Sequence, residues 1–172
     1  METEIVRAEP SDFSVIRNLM LKALKEDPTA FSVTFEEYNF NSDEWWQRYI
    51  MPFLNLFDQL MFLAKEGNDT VGMIGALFEN KSRKRHISTI VWFYVAKEHR
   101  KKGIGKKLID SIINEIKQKS WIKKIALMVN EPQVSAKSMY EKVGFLNTGI
   151  LKKELNIDGT FYDVHIMEKE LV

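Results

Sequence analysis

The sequence of 172 residues predicts a mixed α/β (α+β) fold, one sheet with helices on its faces. Three observations predict it. β-rich runs and helically periodic runs follow one another in the order β-α-α-β-β-β-α-β-α-β-β. A long β-rich run, Ile87–Val95, is followed after a glycine-containing loop by an apolar stripe at Leu108, Ile109, Ile112, Ile113 and Ile116, the cleanest helical spacing in the chain. Apolar residues make up 45% of the sequence, enough to bury a sizeable core, and no repeat, low-complexity tract or linker interrupts it. Residues 1–172 are therefore expected to form one domain.

Element by element, Ile5-Val6-Arg7 reads as a first strand, and Pro10-Ser11-Asp12 offers capping chemistry for a helix. Val15, Ile16, Leu19, Met20, Ala23 and Leu24 supply its buried side, and Asp27-Pro28 stops it. A second helix begins near Ser42, with Asp43 and Glu44 in its first turn, where negative charge suits the helix dipole; Pro52 is expected to end it. Leu60–Lys65 and Thr70–Phe78 form a hairpin through Gly67-Asn68-Asp69. The Ile87–Val95 strand follows the basic loop 81–85. After the isoleucine-striped helix come a short buried strand, Lys124–Val129, and a helix, Ser135–Val143, stopped by Gly144. Phe145–Leu155 and Thr160–Lys169 close the chain as a hairpin turning at Asp158-Gly159.

The formal charge of +1 conceals a polarised chain: residues 1–79 carry a net −8, residues 80–124 a net +11 and residues 125–172 a net −2. A nucleic-acid module would use Lys81–Arg85 and Lys97–Lys107, but the even total and the lack of any such signature disfavour it. The absence of cysteine excludes disulfides, thiol catalysis and thiolate metal sites, fits a reducing cytoplasm, and leaves no metal expected. The acidic start Met1-Glu2-Thr3-Glu4 lacks the apolar stretch of a signal peptide, and the longest apolar run, 90–96, is too short to span a bilayer. A cytoplasmic protein with no membrane partner is expected.

The central basic block gains meaning from its glycines. Arg100-Lys101-Lys102-Gly103-Ile104-Gly105-Lys106-Lys107 joins a strand to a helix N-terminus, where unpaired main-chain N–H groups converge on an anion. Glycine permits the close approach and positive φ that such a nest needs. A Rossmann fingerprint would need a third glycine at Leu108, and a Walker A loop four residues between its glycines; neither pattern is met.

The segment Arg100-Lys101-Lys102-Gly103-Ile104-Gly105 resembles the coenzyme A pyrophosphate signature, Arg/Gln-x-x-Gly-x-Gly/Ala, of the GCN5-related N-acetyltransferase (GNAT) superfamily. Ser135–Phe145 is similar to that family's Ala-x-x-Leu-Tyr-Glu-Lys-x-Gly-Phe box, with Met139 for the usual Leu, and the closing hairpin also looks like the family's. The resemblance implies a mostly antiparallel twisted sheet whose central parallel pair splays to hold acetyl-CoA as acetyl donor. It implies that the pantetheine arm pairs with the Phe93-Tyr94-Val95 strand end, and that main-chain N–H groups of Arg100, Lys101, Lys102, Gly103, Ile104, Gly105 and Lys106 hold the pyrophosphate. Lys97 stands where many relatives have Pro. Tyr140 is implied as the acid that protonates the departing thiolate, and Asn130 or Gln133 as the amide that bonds the pantetheine.

No carboxylate lies on the Ile87–Val95 strand where some relatives place a general base. Glu36, Glu37, Glu79, His86 and His165 are alternatives, as is a water chain. On the acceptor side, Phe31, Glu36 and Trp92 are candidate substrate contacts, in an acidic, aromatic region suited to a cationic amine. Trp45 and Tyr49, at i and i+4, read as core anchors. The resemblance thus implies acetyl transfer from acetyl-CoA to a primary amine of a small molecule or peptide, by direct attack in a ternary complex. A non-catalytic acyl-CoA sensor on the same fold is the alternative. Partners are the amine and, as relatives are often dimers, a second copy of the chain.

Overall fold

The computed structural model describes residues 2–55 and 59–171; residues 1, 56–58 and 172 lie outside it. Seven strands form one sheet in the order β1-β2-β3-β4-β5-β7-β6. They are β1 (Glu4–Arg7), β2 (Gln59–Glu66), β3 (Asp69–Phe78), β4 (Ile87–Val95), β5 (Lys124–Asn130), β6 (Leu146–Ile157) and β7 (Thr160–Glu170). The helices are α1 (Phe13–Glu26), α2 (Phe35–Asn39), α3 (Asp43–Asn55), α4 (Ile104–Lys117) and α5 (Val134–Lys142). Short 3-10 turns occupy Pro10–Asp12, Pro28–Ala30 and Lys97–His99.

Every neighbouring pair is antiparallel except β4 and β5, which run parallel. Their ladder covers only Ile87↔Lys124, Ser88↔Ile125 and Thr89↔Ala126. Beyond Thr89 each strand keeps its outer partner, β4 as far as Val95↔Gly72 and β5 as far as Asn130↔Val164. The two inner edges therefore part, and main-chain groups on both sides of the gap are left without a strand partner. This is the splayed pair the resemblance implies.

A bulge sharpens the divergence. Met73 opposes Tyr94 and Gly75 opposes Val91, so Ile74 alone faces Trp92 and Phe93. Trp92 absorbs the extra residue with a φ of 58°, a left-handed conformation uncommon for a bulky side chain. Alternation is thereby broken: Val91 and Trp92 both pack with α1–α3, while Phe93 faces the opposite layer.

Two cores sandwich the sheet. On one face α4 buries Ile104, Leu108, Ile109, Ile112 and Ile116 against Leu60, Ile74, Ile90 and Ile125, with Tyr140 and Phe145 at the margin. On the other, Ile16, Leu19, Met20, Trp46, Ile50 and Phe53 cover Met61, Leu63, Met73 and Tyr94.

Two elements depart from expectation. The helix α2 was absent from the sequence reading, although Thr34 and Glu37 form a reciprocal capping box: the Glu37 N–H donates to Thr34 Oγ1 at 3.2 Å and the Thr34 N–H to Glu37 Oε2 at 2.7 Å. The helix α3 does not end at Pro52 but continues to Asn55. Pro52 removes one helical hydrogen bond, and burial of Phe53, 5% exposed, offsets that loss. The final hairpin turns as expected, with positive φ at both Asp158 (50°) and Gly159 (85°).

Candidate active site

Beyond the end of β4 the chain makes one 3-10 turn and reaches the glycine loop. Lys101 and Gly103 have φ of 62° and 82°, so left-handed residues curl the loop into a concave run of amides. Among the described residues, no main-chain N–H from Lys101 to Lys106 donates to a protein acceptor; the first inward bond is Lys107 N–H to Gly103 O at 3.1 Å. Those of Ile104, Gly105 and Lys106 are also the first N–H groups of α4, at the positive end of its dipole. Lys101, Lys102 and Lys106 are exposed around the rim. Lys106 pairs with Asp110, and Lys107 Nζ donates to Thr3 O, so of this loop's lysines Lys101 and Lys102 are the two without a hydrogen-bonded partner among the described residues. This cradle fits a diphosphate.

Arg100 serves the loop rather than the cradle. Its N–H donates to Lys97 O at 3.2 Å and its Nε to Val95 O at 2.7 Å, while its guanidinium pairs with Asp27. The Tyr94 hydroxyl donates to Glu26, as does the Lys97 N–H, a donor that proline would lack. Burial raises the Glu26 carboxyl, but the bonds from Tyr94 and Lys97 outweigh it and hold the group below its ordinary value. Burial, then the bond to Glu26, pushes the Tyr94 hydroxyl up.

Across the gap, Asn130 Nδ2 donates to Thr29 O at 2.9 Å and Gln133 Nε2 to Thr29 Oγ1 at 3.0 Å. Both candidate amides are spent on the turn after α1. Residues 26–29 thus form a strap hydrogen-bonded to both walls of the splayed pair. The acidic pair Glu26-Asp27 and Thr29 escaped the sequence reading, because Asp27-Pro28 signalled only a helix stop.

Tyr140 sits on α5 between Phe93 and Phe145, with ring centroids 5.9 and 5.8 Å away, and is 5% exposed. Among the described residues its hydroxyl has no hydrogen-bond partner. Burial alone pushes that hydroxyl above the usual tyrosine value, so it stays protonated throughout the neutral range. Phe93 links the parts: it borders the gap, lies tilted against Tyr140 and packs against Gly105 at the foot of the cradle.

On the opposite face of β4 a cavity of about 440 Å³ opens between α1, α3 and the sheet. Phe31 and Trp92 both line it, with the rings of Tyr49 and Phe53 tilted against Trp92 at centroid distances of 4.9 and 5.1 Å. Tyr38 donates its hydroxyl to that of Tyr49 at 2.7 Å. Trp45 and Tyr49 do stack, at 4.7 Å, but Tyr49 also faces the cavity and is more than a core anchor. Glu36 is not there: it lines a second hollow of about 550 Å³ between the segment after α1 and the β6–β7 tip, sharing only 31–33 with the first. Phe40, the residue that follows α2, lines neither hollow and is 83% exposed.

No described residue lining the first cavity is acidic or a histidine, so the cationic-amine environment expected from composition is not formed at Trp92. Of the alternative bases, Glu37 is held in its capping box, Glu79 and His86 flank the basic loop at the opposite end of β4, and His165 Nδ1 faces the Asn147 amide at 2.8 Å. No group of three or more potential metal ligands occurs among the described residues. Nor is any described helix long and apolar enough to cross a membrane.

The family model described as Acetyltransferase (GNAT) family matches residues 20–145. Human N-acetyltransferase 8 is 27% identical over 89 residues, which is 51% of this chain but only 39% of that protein's length. The fold matches an acetyltransferase of the GNAT family from Streptococcus pneumoniae with a TM-score of 0.89 at 22% identity, covering 99% of this chain and 100% of that one. The structure of yncA from Salmonella typhimurium with its cofactor acetyl-CoA matches with a TM-score of 0.79 at 16% identity over 100% and 95% of the two chains. The ribosomal-protein-alanine N-acetyltransferase of Brucella melitensis matches with a TM-score of 0.76 at 21% identity over 98% and 99%.

Proposed function

The chain belongs to the GNAT acetyltransferase family, and from that premise we propose that it is an N-acetyltransferase moving an acetyl group from acetyl-CoA to a primary amine of a small molecule or peptide. The cradle of unpaired N–H groups at the start of α4, opening beside a buried tyrosine whose hydroxyl has no hydrogen-bond partner among the described residues, carries this reading. Residues 1–172 act as one catalytic domain, and the cysteine-free composition suits the cytoplasm.

In this mechanism the main-chain N–H groups from Lys101 to Lys106 hold the diphosphate, with Lys101 and Lys102 adding charge at the rim. The freed edge of β4 at Phe93 and Val95 pairs with the pantetheine amides; the Val95 carbonyl already accepts from Arg100, so its N–H is the group on offer. Asn130 and Gln133 reach the arm only by releasing Thr29. Acetyl-CoA supplies the acetyl group as a thioester. Trp92 and Tyr49 orient the amine for direct attack, without an acetyl-enzyme. Tyr140 gives its proton to the departing sulfur; a thiol of pKa about 8.5 leaves readily, so this step needs modest help. The proton lost by the amine passes to water, as no described lining residue is a carboxylate or histidine.

Calorimetry with acetyl-CoA and a thiol-release assay over an amine panel test the proposal together. Binding with turnover is expected; failure to bind acetyl-CoA would overturn it. The lack of a carboxylate or histidine among the described residues lining the cavity favours one second reading, an acyl-CoA sensor, which binding without turnover across the panel would select.

A further inference from the structure

Arg48 is the one charged side chain among the described residues lining the cavity at Trp92. It projects from α3 at the rim, exposed, and forms no ion pair with any described residue. Glu44, one helical turn earlier, is held below its ordinary value chiefly by Ser42 and only in lesser part by Arg48. At the wall of the same cavity, Gln59 Oε1 is buried without a hydrogen-bond partner. An unpaired buried acceptor is costly unless a ligand supplies a donor. The same cavity is also lined by Tyr49, Phe53, Val91 and Trp92.

Resting on the acetyltransferase reading, we infer that the acceptor is an amine that also bears a carboxylate, an amino-acid-like molecule whose acid is read by Arg48 and whose apolar body lies on Trp92. A guanidinium offers a carboxylate two parallel N–H donors, a pairing that adds geometric specificity to charge. A polyamine or aminoglycoside would instead bring several positive charges to a cavity whose described lining holds one, also positive. A further N–H or O–H of the acceptor satisfies Gln59. The volume of about 440 Å³ accommodates a single amino acid or short dipeptide rather than a folded substrate. The reaction balances simply: the ammonium loses one proton to water, the nitrogen bonds the acetyl carbon as the C–S bond breaks, and the second proton ends on sulfur. The products are an N-acetylamino acid and coenzyme A.

The test is calorimetry on the full chain without acetyl-CoA. Amino acids with aliphatic to aromatic side chains are titrated, each beside its carboxamide and its decarboxylated amine, into the native protein and the Arg48→Gln variant. At least one free acid should bind the native protein about tenfold to a hundredfold more tightly than its carboxamide, and Arg48→Gln should remove the difference. Equal or tighter binding of carboxamides or decarboxylated amines, no binding across the set, or a preference that survives Arg48→Gln would each overturn the inference. A parallel acetyl-CoA titration separates the two ideas. Acid-selective binding with no acetyl-CoA affinity would refute the transferase reading alone, and the reverse pattern would refute only the acceptor class.

Discussion

A Cβ placed on Gly105 would lie 3.2 Å from Cζ of Phe93 and 3.4 Å from Sδ of Met139, whereas one on Gly103 would meet nothing within 4 Å. The two glycines of the motif therefore act by different means. Gly103 is needed for its φ of 82°, and Gly105 lets α4 approach the Phe93 ring. Gly103→Ala should cost about 1–2 kcal/mol in urea unfolding, from left-handed strain, and weaken acetyl-CoA binding by flattening the nest. Gly105→Val should instead displace Phe93 and disturb the Tyr140 side of the gap, lowering turnover along with stability by about 1–3 kcal/mol. Tyr140→Phe keeps the packing with Phe93 and Phe145 while removing the proton donor. A fall in kcat of about tenfold to a hundredfold with unchanged acetyl-CoA affinity is expected; unaltered kcat would remove Tyr140 from the chemistry.

At the scale of elements, β4 was legible to its ends: β-branched and aromatic residues fill every position from Ile87 to Val95 except Ser88, and the strand has those bounds. The stripe of α4 was equally plain, since an i, i+4 repeat of isoleucines can be buried only as a helix. The helix α2 was readable from Thr34-x-x-Glu37, a signal overlooked because five residues show no periodicity. The strap over the gap was not readable, because it depends on residues about a hundred positions apart meeting at Thr29. It yields a prediction of its own. Asp27→Ala frees Arg100 and leaves a half-buried guanidinium without its carboxylate, so stability should fall by about 1–2 kcal/mol. Acetyl-CoA should also bind more weakly as the loop after Val95 loosens. Thermal unfolding with and without acetyl-CoA separates the two effects.

Across the whole molecule the basic block is divided. The loop 81–85 precedes β4 and the glycine loop follows it, so nine residues of extended strand, about 30 Å, hold the two clusters at opposite ends of the sheet. A continuous nucleic-acid surface does not form from them. Three tyrosines give the molecule an alkaline limit. Burial is the leading cause that raises the hydroxyls of Tyr38, Tyr94 and Tyr140, helped by Tyr49 at the first and Glu26 at the second. The unfolded chain ionises these groups near pH ~10 while the folded one keeps them protonated. Stability is therefore complete below that value and declines as pH rises above it. Urea midpoints measured up the alkaline range should fall from about pH 10, with the phenolate absorbance of these three appearing only on unfolding.

Local interactions were enough to determine the element order, the cradle and its helix, since capping, periodicity and positive-φ glycines act within a few residues. The acceptor cavity was decided in three dimensions. Sequence proximity set Glu36 and Glu37 beside the aromatics, yet the capping box turns Glu37 inward to Thr34 and α2 carries Glu36 to another hollow. Arg48 and Gln59, from α3 and β2, line the cavity instead, because the bulge at Trp92 moves that ring onto the face these elements cover. Charge along a chain is additive; charge at a cavity depends on which side of each helix and strand faces inward, and packing makes that choice.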